Sequence, residues 1–334
     1  LIGGMGVNPM VMALDFAQYP AGTTGKEPAP NVIISVDDSG SMDQAVSKTD
    51  STKKLAALKN SLIAQFGNAN TTPPTSGKIT DNSIRLAWQV MHNNGGASDA
   101  NTLQQGNTNA MRPFQGNHRK NFSTFVSSLK ANNGTPSHKM MENAHNYMKS
   151  ALGKDNPWAD NPGTASPTYL ACRRTYHIFM TDGEWNSSNK QSVGNADGTD
   201  RDLGDNSTKY VANSDQTRIY SDTFGAGNLS TLSDFAFASW ATDLQSTIPN
   251  SVKPLIKKSG IETIGSFNLQ EYWNPKNNPA TWQHMSTYTI GFGSGATSWN
   301  VSPKWDNTTD NNYGGSGDYE KLVNGDVKWP DVID

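Results

Sequence analysis

Cysteine is almost missing from this chain, which has only Cys172 among its 334 residues. One cysteine excludes an intrachain disulfide framework and any zinc site built from several thiolates. Cys172 is expected to act as a small hydrophobic residue near a strand, and it could pair only with a cysteine outside this chain. Stability must therefore come from a packed core, and this length allows a sizeable one.

Charge and long apolar runs are also scarce. Charged residues make up 17% of the sequence, the net charge is -3 and there is no basic stripe, so no nucleic-acid partner is expected. No apolar stretch is long enough to span a bilayer. The chain starts at Leu1 without a signal peptide, which suggests a processed product. Few charges and many small polar residues favour a secreted surface protein over a cytosolic enzyme.

The most informative stretch is an apolar run at residues 32–36 that ends in acidic and hydroxyl groups. The run is β-branched and nearly unbroken, which predicts a strand over 31–37 buried on both faces of a parallel sheet. Asp37, Ser39 and Ser41 follow in the spacing D-x-S-x-S. Ligands bind such sheets at the carboxyl ends of strands, and these oxygens suit a hard cation. Asp-Ser-Gly is also a common turn sequence, so the motif alone does not distinguish a metal site from an ordinary turn.

Strand and helix patterns alternate along the rest of the chain. Further strands are predicted at 84–90 with one face buried, at 176–181 and at 287–292. Helical patterns cover 52–66, 122–129 and the stretch after Pro136. Asp50 or Ser51 would cap the first helix, and Thr135 would cap the last. This alternation predicts a doubly wound α/β domain.

The domain plan contains one long elaboration. We predict an N-terminal arm at 1–30 and a single domain at 31–334. A large insertion at about 183–286 precedes the last clear strand, because the gap is far longer than a normal connection. The insertion should hold at least one helix, around Phe237. The loops at 92–117 and 294–318 are polar, and a short final helix is expected at 319–324.

Five oxygen-bearing side chains are predicted to meet at one edge of this sheet. They lie on three separate loops: Asp37, Ser39 and Ser41 on the first, Thr135 on the second and Asp182 on the third. Two carboxylates and three hydroxyls would leave Mg²⁺ under-coordinated, so a partner's Asp or Glu could complete its shell. Mn²⁺ or Ca²⁺ could use the same oxygens.

Three sequence pieces resemble the metal-ion-dependent adhesion site of a von Willebrand factor A domain. They are D-x-S-x-S at 37–41, G-T at 134–135 and T-D-G at 181–183. They match that site in order and context, and the likeness implies a von Willebrand factor A-type, Rossmann-like fold. It also implies that Ser39, Ser41 and Thr135 contact the metal directly or nearly so. By the same likeness, Asp37 and Asp182 contact it directly or through water.

A narrower resemblance covers most of the chain. It rests on residues 30–42, 176–183, 237–244 and, above all, Y-W-N-P-K-N-N-P-A-T-W-Q-H-M at 272–285. These segments resemble the amino-terminal part of PilC/PilY-type proteins, which are type IV pilus tip and biogenesis factors of Gram-negative bacteria.

The PilC/PilY resemblance implies a function as well as a fold. The family implies a non-enzymatic adhesin at the pilus tip or outer membrane that primes pilus assembly with minor pilins. By the same resemblance, the protein would regulate pilus retraction and so twitching motility. It would also bind a host-cell or surface ligand that carries an acidic group. The family's C-terminal β-propeller, with its calcium site, is expected to be absent from this chain.

Several alternatives stay open at this stage. The same metal site could serve an intracellular von Willebrand factor A adaptor of a chelatase or AAA-type ATPase machine. A metal-dependent hydrolase would need a general base and a closed pocket, and the sequence shows neither. The site could also be structural or vestigial.

Other polar and aromatic groups have plainer interpretations. The acidic cluster from Asp197 to Asp205 lacks the order of an EF-hand loop and is interpreted as solvated. His138 and His145 are interpreted as surface or hydrogen-bonded histidines, and His177 as a core histidine. The aromatic run at 273–285 is interpreted as packing rather than as a binding face.

Overall fold

The computed structural model describes residues 27–92, 103–183, 193–221, 230–264 and 267–292. Nearly all of the predicted arm at 1–30, the loop at 294–318 and the helix at 319–324 lie outside these residues. Within the described ranges, no helix has the length and apolar character needed to cross a membrane.

A five-stranded sheet forms the centre of the fold. Its strands are β1 (Asn31–Val36), β2 (Arg85–Val90), β3 (Arg112–Pro113), β4 (Thr175–Thr181) and β9 (Ser286–Gly291). The spatial order is β3-β2-β1-β4-β9, in which β3 is antiparallel to β2 and all other pairs are parallel. The order reverses between β1 and β4, so the carboxyl ends of these two strands flank the position where such sheets bind ligands.

Helices cover both faces of this sheet. One face carries α1 (Lys54–Phe66) and α2 (Gly116–Ser128), whose apolar side chains pack on Val32, Ile34 and Val36 of β1. The opposite face carries α3 (Ser137–Met148), which packs with Ile33. Residues 32 and 33 point to opposite faces because side chains alternate along a strand. The predicted α/β class with a mostly parallel sheet is confirmed, and the arrangement is Rossmann-like.

Strand β2 differs from its prediction. Alternating residues predicted one buried face, yet all six residues are buried, including Arg85, Ala87 and Gln89. The reason is position, since β2 lies between β3 and β1 and helices cover both of its faces. Its polar side chains are therefore hydrogen-bonded inside the protein: Arg85 donates to Asn31 Oδ1, and Gln89 donates to Ser35 Oγ.

The helix starts also differ from prediction. Helix α1 begins after Lys53, which makes no side-chain capping bond, so neither Asp50 nor Ser51 caps it. Helix α3 begins at Ser137 after Pro136, so Thr135 is not its cap. Helix α2 starts at Gly116, six residues before Phe122, its first large apolar residue. The prediction missed these first turns because they are polar.

The chain between β4 and β9 has its own small core. It contains the hairpin β5 (Arg201–Asp202) and β6 (Lys209–Tyr210), helix α4 (Leu232–Ala241), and the hairpin β7 (Glu262–Ile264) and β8 (Phe267–Leu269). Tyr210, Phe237 and Trp282 pack together in this core. Helix α4 begins with a capping box formed by Thr231 and Asp234. The expected helix in this region is therefore present, while the domain boundaries stay a prediction.

Hydrogen bonds fasten this elaboration to α3. His138 Nε2 lies 2.7 Å from the Ser230 carbonyl oxygen, and His145 Nδ1 lies 3.0 Å from Ser239 Oγ. Both histidines are thus hydrogen-bonded, as predicted. Trp282 is 1% exposed, which agrees with packing for that part of the aromatic run. The prediction for Asp197 was wrong, because this carboxylate is fully buried and accepts a bond from Ser233 Oγ.

Candidate metal centre

The loop after β1 holds the first three predicted ligands in a tight turn. The Ser39 amide donates to Asp37 Oδ1 at 2.8 Å, which folds the chain back over the carboxylate. Ser39 Oγ and Ser41 Oγ lie 3.1 Å apart, so their hydroxyls face the same point. Asp37 and Ser39 are buried, whereas Ser41 is partly exposed. The turn is therefore open to solvent near Ser41.

The end of β4 brings Asp182 to the same turn. Ser41 Oγ donates to Asp182 Oδ1 at 2.7 Å. The Asp182 amide lies 3.3 Å from Asp37 Oδ2, and the Thr181 hydroxyl donates to that same oxygen at 2.7 Å. β1 and β4 are neighbours in register, with Val36 opposite Met180, so the two carboxylates leave the sheet side by side. Four of the five predicted ligands thus form one hydrogen-bonded cluster at the switch point of the sheet.

The fifth predicted ligand, Thr135, lies on the neighbouring loop before α3. The Gly40 amide donates to the Asn133 carbonyl at 2.9 Å, and the Asn132 amide donates to the Asp38 carbonyl at 2.8 Å. These two bonds fasten the loop before α3 to the turn after β1. Thr135 is 8% exposed at the end of that loop.

Asp38 and His92 brace the same edge. The His92 amide, just past β2, donates to Asp38 Oδ1 at 3.0 Å, and the His92 ring lies 2.5 Å from the Gly134 carbonyl oxygen. Four loops are therefore tied together around the candidate site.

One cation lies inside this cluster. Lys54, the first residue of α1, places its Nζ 2.8 Å from Asp182 Oδ2 and 3.4 Å from Gln44 Oε1. The Lys54 side chain is 10% exposed and that of Asp182 is 0% exposed, so this is a buried ion pair. Sequence reasoning missed Lys54, because its alignment with Asp182 depends on how α1 packs against the turn at 40–43.

The donor set fits a hard cation only if hydroxyls take part. Carboxylate and hydroxyl oxygens are the ligands that Mg²⁺ prefers. Within the part of the chain that the structure describes, no group of three His, Cys, Asp or Glu residues could hold a metal ion alone. A metal here would thus rely on Ser39, Ser41, Thr135 and water beside the two aspartates. Both this ligand set and the metal itself stay predictions.

A serine–histidine pair inside the central sheet offers no route to hydrolysis. Ser35 Oγ lies 2.7 Å from His177 Nε2, and Gln89 donates to the same hydroxyl. All three residues are 0% exposed, which leaves a substrate no access. Burial lowers the pKa of His177 to about 3, so the ring is neutral near pH 7. The pair is part of the core, as predicted for His177.

Comparison with known proteins identifies similar sequences. No family model matches the chain. The chain is similar to the type IV pilus biogenesis factor PilY1 of Pseudomonas aeruginosa strain PAO1, with 38% identity over 250 residues, 74% of this chain and 20% of that protein. Against PilY1 of strain PAK the identity is 39% over 253 residues, 75% of this chain and 20% of that protein. Against PilY1 of strain UCBPP-PA14 it is 34% over 256 residues, 75% of this chain and 19% of that protein.

These matches are long within this chain but short within the relatives. The chain spans about one fifth of the length of the curated relatives it matches. The matched length and identity agree with the resemblance drawn from the sequence segments. Over the matched three quarters of its length, the chain belongs to the PilY1-type type IV pilus biogenesis factors.

Proposed function

We propose that this chain is the metal-dependent binding module of a type IV pilus biogenesis factor. The hydrogen-bonded cluster of Asp37, Ser39, Ser41 and Asp182 at the switch point of the sheet carries the proposal. The similarity to PilY1 supports the pilus context. The von Willebrand factor A resemblance of the same residues supports an adhesion site rather than a catalytic one.

The proposed mechanism follows from the cluster. A bound Mg²⁺ would supply an electrophilic position for an oxygen ligand. Asp37 and Asp182 would neutralise the ion, while the hydroxyls of Ser39, Ser41 and Thr135 would hold it without adding negative charge. A site rich in neutral ligands keeps positive character and favours an anionic group. The partner's Asp or Glu carboxylate would then complete the shell.

The proposed setting is the cell surface of a Gram-negative bacterium. Minor pilins and a host-cell or surface ligand with an acidic group are the proposed partners, and adhesion, pilus assembly and control of retraction are the proposed roles. We propose no enzymatic reaction. The alternative role in a chelatase or AAA-type machine would use the same metal cluster, but the similarity to pilus biogenesis factors favours the pilus.

Isothermal titration calorimetry of Mg²⁺ into the chain tests whether the cluster binds a metal. We expect saturable binding near one ion per chain, lost in Asp37→Asn and Asp182→Asn, because each change removes a carboxylate charge while keeping the side-chain shape. Circular dichroism establishes that both variants are folded. Mn²⁺ and Ca²⁺ titrated in parallel rank the metals.

Asp43→Asn is the matched control. Asp43 lies on the same loop, but its side chain is 64% exposed and paired with Lys53. It should leave metal binding unchanged. Full metal affinity in either cluster variant would refute the ligand assignment, and equal losses in all three variants would point to a general charge effect instead.

A further inference from the structure

The ion pair between Lys54 and Asp182 is unusual for a site that is to receive a metal. Asp182 Oδ2 accepts from Lys54 Nζ at 2.8 Å, while Asp182 Oδ1 accepts from Ser41 Oγ at 2.7 Å. Both carboxylate oxygens are therefore engaged. One partner is already a cation, held almost out of contact with solvent.

The position of Lys54 is defined by the fold. It is the first residue of α1, and its backbone amide donates to the Gln44 carbonyl, which ties the helix start to the loop that carries Ser41. Its ammonium also lies 3.4 Å from Gln44 Oε1. Its neighbour Lys53 reaches solvent and pairs with exposed Asp43. Adjacent lysines thus have opposite environments.

We propose that Lys54 is a built-in competitor of the metal and sets the metal affinity of the cluster; this inference rests on the proposed function. In the metal-free protein the ammonium neutralises the buried Asp182 carboxylate. An arriving divalent cation must either displace the ammonium or share Asp182 with it. Like charges at such short range repel strongly where water is scarce, so the metal binds more weakly than the oxygen ligands alone would allow.

This arrangement also favours binding that depends on a partner. A weakly held metal gains most from an added anionic ligand, because the partner's carboxylate offsets the repulsion between the metal and Lys54. Metal and acidic partner would then bind cooperatively, each raising the affinity of the other by the same factor. Lys54 would thus make the site selective for anionic partners, because metal occupancy would depend on the partner's negative charge.

The test is calorimetric titration of Mg²⁺ into the whole chain and into Lys54→Met, Lys54→Gln and Lys53→Met. We expect the two Lys54 variants to bind Mg²⁺ about tenfold or more tightly than the unchanged chain, because the competing charge is gone. Lys53→Met removes the same charge one residue away and should leave the affinity unchanged. Lys54→Gln keeps a polar donor in the buried position, in case Lys54→Met does not fold.

A second measurement separates competition from general electrostatics. Without metal, the Lys54 variants should have a lower melting temperature, since Asp182 is left buried and unpaired, and Mg²⁺ should raise it more than in the unchanged chain. Equal or weaker Mg²⁺ affinity in folded Lys54 variants would overturn the inference while leaving the metal site intact. An absence of Mg²⁺ binding in every folded variant would overturn both.

Discussion

At the scale of single residues, the candidate site depends on groups other than the five predicted metal ligands. Thr181 is the clearest case, since its hydroxyl donates to Asp37 Oδ2 at 2.7 Å and so fixes how that carboxylate points. The side chain is partly exposed at the end of β4. Mutation of groups that orient metal ligands in this way typically lowers metal affinity by about 10- to 100-fold.

Thr181→Val tests this positioning role. The change removes the hydroxyl but keeps the branched shape, so the fold should be retained. We expect Mg²⁺ affinity to fall about tenfold, measured by calorimetry, because outer-sphere partners typically have effects of that size. Thr175→Val is the matched control at the far end of the same strand, and it should leave the affinity unchanged. Unaltered affinity in Thr181→Val would show that Asp37 needs no such support.

At the scale of elements, the elaboration between β4 and β9 is locked by close packing. Gly204 lies beyond β5, in the turn of the first hairpin, directly against the indole of Trp282. A Cβ at this position would lie 2.4 Å from Trp282 Cδ1 and 2.7 Å from the Asp243 backbone nitrogen. Trp282 is 1% exposed, and its indole N–H donates to the Trp240 carbonyl, so it has little freedom to move.

Gly204→Ala should therefore be strongly destabilising. Overpacking of a filled core typically costs about 1–3 kcal/mol, and we expect a loss near the upper end in urea unfolding. Gly153→Ala is the control, because the nearest atom to its added Cβ would be a flexible side-chain oxygen of Gln105 at 3.7 Å. That variant should stay within about 0.5 kcal/mol of the unchanged chain. Similar losses in both variants would argue against the Trp282 contact.

At the scale of the whole molecule, the core buries neutral histidines. Burial lowers the pKa of His118, His145 and His284 to about 4 and that of His177 to about 3, from an ordinary value of 6.5. Between pH 6.5 and these values, the unfolded chain binds protons that the folded chain does not. The folded state holds these rings neutral, so it carries no stability penalty from them above pH 6.5. The free energy of unfolding then falls as the pH drops toward 4, because protonation favours the unfolded chain.

The free energy of unfolding should consequently decrease between pH 6.5 and 5. In that window each such histidine lowers the free energy of unfolding by about 1.4 kcal/mol for every unit that the pH falls. Urea unfolding at a series of pH values measures the slope. His145→Asn keeps a polar group near Ser239 but removes the titration, so its slope should be smaller by about one histidine's share. An identical slope in that variant would contradict the assignment for His145.

The sequence predicted local features well. The continuous apolar runs of β1 and β4 marked buried strands, and the residues that follow them formed the cluster of Asp37, Ser39, Ser41 and Asp182. The prediction failed for β2, whose alternating residues indicated one exposed face. It also failed at the starts of α1 and α3, where no side-chain capping bond marks the first helical residue.

The sequence by itself therefore determined the parallel α/β framework and the oxygen-bearing residues at its edge, because strand runs and turn motifs are short and contiguous. The tertiary structure alone decided that Lys54 pairs with Asp182, that Thr181 supports Asp37 and that Asp197 is buried. These contacts join residues far apart in the chain. Their energies depend on solvent exclusion and on distances of a few ångströms, which no local pattern encodes.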